Sequence, residues 1–233
     1  MALNEQGFAI IDIPAATAEI LDSYERCPLD KYMGNQTRYK RFSQYRLSPD
    51  KQTGQWSFEK LPHRAYTAFK EFNPIGGGIK RDHPPLEADF TGYVRLGIAG
   101  IGLDDSEDWQ INLHQNRTVA TPEKPGLLTP EGIHQDGHEF VMIGILRRNS
   151  VVGGITRLWK SKDDKEPFWT GMLEPGQAVL LDDRNVWHDV TDVLPEDGKA
   201  GHRDIFIVSF SRWREKWYGD EHDQAVLTSA GNM

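Results

Sequence analysis

From about Gly92 to Trp213 the chain is a succession of β-rich runs split by turn residues, with no amphipathic helices alternating between them. The runs fall at Tyr93–Ala99, Trp109–Val119, Ile133–Leu146, Val151–Trp159, Phe168–Leu173, Gln177–Leu181, Val186–Val193 and Ile205–Trp213. No βαβ alternation suggests a parallel doubly wound sheet. Eight such strands instead fit a mainly β protein with flanking helices, a double-stranded β-helix of the jelly-roll, cupin-like kind. That fold closes two sheets over a core and leaves an open mouth for a ligand.

The residues before this block supply support. Gly7 to Ile13 reads as a short strand closed by Pro14. Ala15 to Cys27 then carries Ile20, Leu21 and Tyr24 at helical spacing. The segment RYKRFSQYRL, Arg38 to Leu47, reads as an edge strand protected by its charges. Alternation puts Tyr39, Arg41, Ser43 and Tyr45 on one face and Lys40, Phe42, Gln44 and Arg46 on the other. A functional alternative is that Arg41 or Arg46 reaches an anionic substrate. Pro62 to Phe72 fits a further helix, and Pro74 to Pro85 is a loop by its Gly and Pro content. Gly219 to Met233 is polar and aperiodic, and a loose tail is expected there. With 38% hydrophobic residues and seven Trp in 233 residues, one domain spanning 1–233 is expected. Its β-helix core covers about 92–213, with 1–91 as N-terminal support and 219–233 as the tail.

Charge and special residues narrow the partners. A formal net charge of −8 opposes a large cationic surface, so binding along a nucleic-acid backbone is not expected and a small-molecule partner fits better. Cys27 is the only cysteine, which excludes an intramolecular disulfide framework. No apolar run approaches the ~18 residues of a membrane span, and the first residues lack a basic segment followed by an apolar one. A cytoplasmic, reducing setting is the expectation.

The candidate chemistry sits in GIHQDGHEFVMI, Gly132 to Ile143. If this segment is extended, His134 and Asp136 share a face and offer two ligands to a divalent metal. A third must come from elsewhere, and His188 in NVWHDV follows turns at Pro175–Gly176 and Asp182–Asn185 that return the chain toward the pair. Two histidines and one carboxylate leave coordination positions open, the pattern of non-haem Fe(II) oxygenases, whereas zinc more often takes N and S donors with one water. His138 shares the parity of His134 and Asp136. A slipped register would make it a ligand, but a role behind the metal or facing substrate is favoured. A second H-x-D, at His202 and Asp204, is followed only by His222. Trp187, Phe140, Ile143 and Phe210 read as core, and Gly153–Gly154 as a tight turn. On WQINLHQN, the residues Gln110, Asn112 and His114 form one polar face. It lines a pocket if it looks inward, and is wet if the strand is half exposed.

The order His134, Asp136, His188 and then Arg203, fifteen residues further on, resembles the Fe(II)- and 2-oxoglutarate-dependent dioxygenase superfamily. The segments EGIHQDGHEFVMI and NSVVGGITRLW further resemble its bacterial branch of free amino-acid hydroxylases, which includes L-isoleucine 4-hydroxylase. The likeness covers roughly Tyr93 to Trp213. It implies Fe(II) held by His134, Asp136 and His188, with O2 and 2-oxoglutarate as co-substrates. Arg203, opening RDIFIVSF, would grip the distal carboxylate of 2-oxoglutarate, a task suited to a planar two-pronged guanidinium. The implied reaction hydroxylates an unactivated C–H bond, most plausibly of a free L-amino acid, and releases succinate and CO2. Asn149 and Arg157 flank a diglycine turn that the family shares, and join Gln110, Asn112 and His114 as substrate-binding candidates. The alternatives are a peptide or natural-product target for hydroxylation, desaturation or cyclisation, and a metal-binding jelly-roll module without turnover.

Overall fold

The structure is a computed structural model that describes residues 2–231. Its strands are β1 (Phe8–Asp12), β2 (Arg38–Asp50), β3 (Gln55–Lys60), β4 (Trp109–Ala120), β5 (Phe140–Asn149), β6 (Val151–Gly153), β7 (Ile155–Trp159), β8 (Trp169–Met172), β9 (Gln177–Asp182), β10 (Trp187–Val190), β11 (Val193–Pro195) and β12 (Gly201–Arg212). The helices are α1 (Ala18–Glu25), α2 (Thr91–Ile101) and α3 (Asp220–Gly231). A seven-stranded antiparallel sheet runs β1-β9-β5-β12-β4-β2-β3, and β10-β7-β8 forms a smaller second sheet with the short pair β11-β6 beside it. This is the jelly-roll architecture, mainly β with helices on the outside.

Period-two alternation in the large sheet sorts its side chains into two environments. On β4, Trp109, Ile111 and Leu113 face outward and are fully buried beneath α1 and α2. They pack with Ile20, Tyr24, Val94, Ile98, Phe206 and Phe210. On the inner side Val141, Ile143 and Ile145 of β5, Val179 and Leu181 of β9 and Ile205 of β12 pack against Leu158, Leu173 and Val186. At about 25 cal/mol per Å² of apolar surface, these two clusters are the main cohesive term. The inner face of β4, by contrast, is polar from Gln110 through Asn112, His114 and Asn116 to Thr118. A cavity opens at the far end of that face, lined by His114, Asn116 and Thr118.

Several expectations need correction. Tyr93–Ala99 is not a strand but the middle of α2. Tyr93, Val94, Gly97, Ile98 and Ile101 recur at helical spacing and form its buried face. Gly97 lets that face lie against Phe210, since a Cβ there would stand 2.9 Å from the ring. Gly102 closes the helix at φ 70°. Pro62–Phe72 forms no helix, because Tyr66 pairs its backbone N–H and C=O with Arg81, at 2.9 Å each. Of the expected loose tail, residues 232–233 lie outside the described residues, and Asp220–Gly231 is α3, pinned by the buried Asp223, which accepts from Arg64 and Thr67, and by the fully buried Val226. Its first-turn Asp220, Glu221 and Asp223 suit a helix N-terminus. Nor is β2 a free edge, since β3 pairs outside Tyr45–Asp50 and loop backbone around Pro28–Asp30 and Pro84 covers Arg38, Lys40 and Phe42. Within Ile133–Leu146 the regular strand begins only at Phe140.

Candidate active site

His134 and His188 meet through their backbones before their side chains are considered. Each N–H donates to the other's carbonyl, at 3.0 and 2.9 Å, an isolated antiparallel bridge that sets the two rings 4.4 Å apart. Asp136 completes the group. Its carboxylate lies 3.6 Å from His134 Nε2 and 3.9 Å from His188 Nε2, and one ligand atom from each residue falls within 4.8 Å of the others. Atoms bonded at about 2 Å to one ion lie at most about 4 Å apart, a limit that the 3.6 and 3.9 Å separations from Asp136 meet. His134 Nδ1 lies 2.9 Å from the carbonyl of Gly132. As a donor to that oxygen, Nδ1 carries the proton and leaves the Nε2 lone pair free.

The turn that presents Asp136 is organised by a residue the sequence reading did not single out. The carboxylate of Asp183, 1% exposed, accepts from the backbone N–H groups of Asp136, Gly137 and His138 at 3.0, 2.8 and 3.0 Å. It also stands 3.9 Å from His188 Nδ1. Asp183 thus touches both arms of the bridge. Gly137 is required here, for its φ is 85° and a Cβ would come within 2.5 Å of the Phe72 ring.

The electrostatics favour a cation at the centre. Burial opposes the Asp136 carboxylate, but hydrogen bonding from His134 and the charges of the surrounding histidines hold its pKa well below the carboxylate range. Burial, reinforced by His134, brings His188 down to about 4, so its imidazole is neutral and free to donate a lone pair. His134 goes the other way: burial disfavours its charge, but Asp136 and Glu131 outweigh that and lift it to about 9. The carboxylates around His134 therefore attract positive charge, which a divalent ion would satisfy in place of the proton.

The triad lines one cavity with Arg203, His114, Asn116, Thr118 and a set of apolar side chains including Leu128, Ile143, Val190, Ile205 and Ile207. Arg203 is 2% exposed, and its Nε and one terminal nitrogen have no hydrogen-bond partner. Burial, with the charge of Arg148 adding, lowers its pKa to about 9. A buried guanidinium with idle donors is costly unless an anion meets it, and its position on the wall of a cavity shows where that anion would bind.

The other sequence candidates separate. His114 lines the cavity with Nδ1 unpartnered. Gln110 and Asn112 face inward but lie in a closed network: Gln110 donates to Asn112 at 2.6 Å and accepts from the N–H of Trp217, while Gln44 also donates to Asn112. His138 belongs to that network, bonded to Ser211 at 2.8 Å and packed on Trp217. Arg157 is paired with Asp189, Asn149 is exposed at the end of β5, and none of these five lines the cavity. Arg41 is spent on Glu87 and two backbone carbonyls, and Arg46 on Asp108. Arg38 and Lys40, opposite in parity to Arg41 and on the same face as Arg46 but nearer the strand's start, line the cavity instead, together with Arg81, Tyr66 and Glu131. The alternation of RYKRFSQYRL carried the signal for Lys40. Nothing local in the sequence marked Arg81 or Glu131.

Comparison with known proteins gives a consistent result. The 2OG-Fe dioxygenase family model matches residues 21–209. L-isoleucine-4-hydroxylase of Bacillus thuringiensis is 31% identical over 110 residues, covering 47% of this chain and 45% of that protein. The match therefore spans less than half the length of that relative. 3(1)-hydroxy-L-isoleucine 4-dioxygenase of Pantoea ananatis is 26% identical over 211 residues, 85% of this chain and 82% of that one. Among solved structures, a bsmA homolog from Methylobium petroleophilum superposes with a TM-score of 0.72 at 29% identity, covering 90% of each chain. IDO from Bacillus thuringiensis superposes with a TM-score of 0.68 at 23% identity, covering 89% of this chain and 94% of that one, a likeness of fold.

Proposed function

The chain belongs to the 2OG-Fe dioxygenase family, and on that premise we propose that it hydroxylates an unactivated C–H bond of a free L-amino acid. Its cofactor is Fe(II), and its co-substrates are 2-oxoglutarate and O2. In the proposed reaction the amino acid, O2 and 2-oxoglutarate give the hydroxyamino acid, succinate and CO2.

One observation carries the assignment of roles: the three candidate ligands and an unpartnered buried guanidinium share a single cavity. The donor set fits Fe(II). Two neutral imidazoles and one carboxylate offset one of its two charges and leave adjacent positions open for a bidentate anion and O2. His134, Asp136 and His188 are its proposed ligands, with Asp183 fixing the turn on which Asp136 sits. Fe(II) bound there would supply the activation of O2 coupled to oxidative decarboxylation of the keto acid. Arg203 would take the distal carboxylate of 2-oxoglutarate, and Thr118, across the ladder from Arg203 and also on the cavity wall, is placed to add a hydroxyl donor. Leu128, Val190, Ile205 and Ile207 would exclude water around the reacting carbon. Among the described residues Glu131 is the lining's only carboxylate besides Asp136, and an ammonium is its natural complement. The amino-acid reading also draws on the curated relatives, one named for L-isoleucine and the other for 3(1)-hydroxy-L-isoleucine.

The test is succinate release from 2-oxoglutarate with Fe(II) and ascorbate, in the presence of each proteinogenic L-amino acid in turn, with mass spectrometry of the product. At least one amino acid should stimulate turnover and gain one oxygen per succinate formed. Stimulation by peptides alone, or by none of these compounds, would reject the amino-acid assignment, and an absence of 2-oxoglutarate consumption would reject the roles given to the triad and Arg203.

A further inference from the structure

Part of the cavity wall is built from chain outside the triad and Arg203. Arg81 lies in the glycine-rich loop after Phe72, tied to Tyr66 by a two-way backbone pair. It is 3% exposed, and its Nε and one terminal nitrogen have no partner. Its guanidinium carbon sits 4.8 Å from the centroid of the Tyr66 ring, and the ammonium of Lys40, from β2, lies 5.5 Å from the same centroid. Gly76 leaves room for the guanidinium, since a Cβ there would stand 2.7 Å from its Nη1. Among the described residues neither Arg81 nor Lys40 forms an ion pair, and both line the same cavity as the candidate iron ligands.

Two buried cations beside one aromatic ring repel each other, and the ring's quadrupole offsets only part of the desolvation of each. The effect shows in Lys40, whose pKa is brought down to about 7, first by burial and then by the charge of Arg81. Such a pair is tolerated where an anion completes it. The two carboxylates of 2-oxoglutarate are accounted for, one at the metal and one at Arg203, so the anion belongs to another molecule. We propose that Arg81, with Lys40 beside it, anchors the α-carboxylate of the amino-acid substrate against the Tyr66 wall.

This inference rests on the amino-acid reading and identifies the group that would select an amino acid over its neutral relatives. Arg81 binds and orients the substrate, while the reacting carbon is set by how far the rest of the molecule extends from that fixed carboxylate. A charge-assisted pair at a buried site is worth on the order of 10- to 100-fold in affinity.

The experiment compares the L-amino acids with their C-terminal amides, in the wild-type protein and in Arg81→Gln, Arg81→Lys and Lys40→Met, following KM for each compound and for 2-oxoglutarate. The wild-type protein should prefer the acid over its amide by on the order of 10- to 100-fold. Arg81→Gln should raise KM for the acid by a similar factor and erase the preference, with Arg81→Lys recovering part of it. KM for 2-oxoglutarate should stay near its wild-type value. Equal use of acid and amide by the wild-type protein would overturn the anchor without recourse to any variant, as would a preference that survives Arg81→Gln. So would an Arg81→Gln effect on KM for 2-oxoglutarate in place of the amino acid. Those three results leave the hydroxylase assignment standing. A protein that consumes 2-oxoglutarate but responds to no amino acid or amide removes both.

Discussion

Two buried arginines flank the same stretch of the β4–β12 ladder and lead opposite lives. Arg117 pairs across from Asp204, and Arg203 across from Thr118, so the two guanidiniums start from adjacent rungs. Arg117 points outward, where Asp204 receives it on two oxygens at 2.7 and 2.9 Å and Glu25 on two more at 2.7 and 2.8 Å. Burial works against its charge, but these carboxylates outweigh it and hold its pKa above the ordinary arginine value. Arg203 points inward, meets no carboxylate among the described residues, and is shifted down. One rung serves the fold and the next is kept for a ligand. Alternation along a strand is what allows a structural ion pair and an unsatisfied binding cation to sit side by side without neutralising each other.

The largest effect should come from the inward side. His134→Ala, Asp136→Ala and His188→Ala should each lower succinate release by several kcal/mol of barrier, roughly 10³-fold, with bound iron reduced in parallel. Retained iron and turnover in any one of them would remove that residue from the proposed ligand set. Next comes the contrast itself. Arg117→Met leaves the fully buried Asp204 without its main partner, and should cost roughly 3 to 5 kcal/mol in urea unfolding while KM for 2-oxoglutarate holds. Arg203→Met removes a cation that has no anion in the free protein. It should leave the unfolding midpoint unchanged or raised, and weaken 2-oxoglutarate by on the order of 10- to 100-fold. If Arg203→Met destabilised as much as Arg117→Met, the distinction between the two arginines would be lost.

How much of this was legible in the sequence follows the same division. The polar face of WQINLHQN was visible as alternation, and it does look inward, but only its far end reaches the cavity. Gln110 and Asn112 are consumed by Gln44, His138 and Trp217, partners that no local pattern reveals. His134 and Asp136 are neighbours as expected, yet for a different reason. Their segment is a turn braced by Asp183 with a single bridge to His188, rather than a continuous strand. Asp183 itself left no signal, because it acts by accepting backbone N–H groups, which any sequence supplies. The misread helix α2 shows the limit of composition. Val94, Ile98 and Ile101 are β-branched, but what decides is that their spacing makes one apolar stripe for the sheet to cover. Arg81 stayed hidden because its place on the wall depends on a pairing with Tyr66 across a loop of irregular backbone.

A smaller effect should separate the two sides by pH. On the inward side Lys40, with an ordinary pKa of 10.5, is brought to about 7 by burial and by Arg81. Between those values the unfolded chain holds a proton that the native state lacks, so stability rises with pH across the window. The penalty of the buried charge is full below about 7 and gone above 10.5. Comparing urea midpoints at both ends of that window, the wild-type protein should gain stability relative to Lys40→Met, by at most the ~5 kcal/mol that the separation of the two values allows. A parallel pH dependence in the two proteins would mean that Lys40 is not buried as a cation.

The smallest effect belongs to the outward side and has the opposite sign. Hydrogen bonding from Arg117 is the main cause that lowers Glu25 from 4.5 to about 2. Its contribution is therefore fully present above pH 4.5 and is lost as pH falls toward 2. Because the side chain is 55% exposed, solvent screens much of that interaction, and the gain should fall below the Lys40 effect. Glu25→Gln should flatten the acid limb of the stability curve and leave the limb above pH 7 untouched, whereas Lys40→Met should do the reverse. If one substitution moved both limbs, the two faces of the ladder would be electrostatically joined through the sheet, and the independence of Arg117 and Arg203 could not hold.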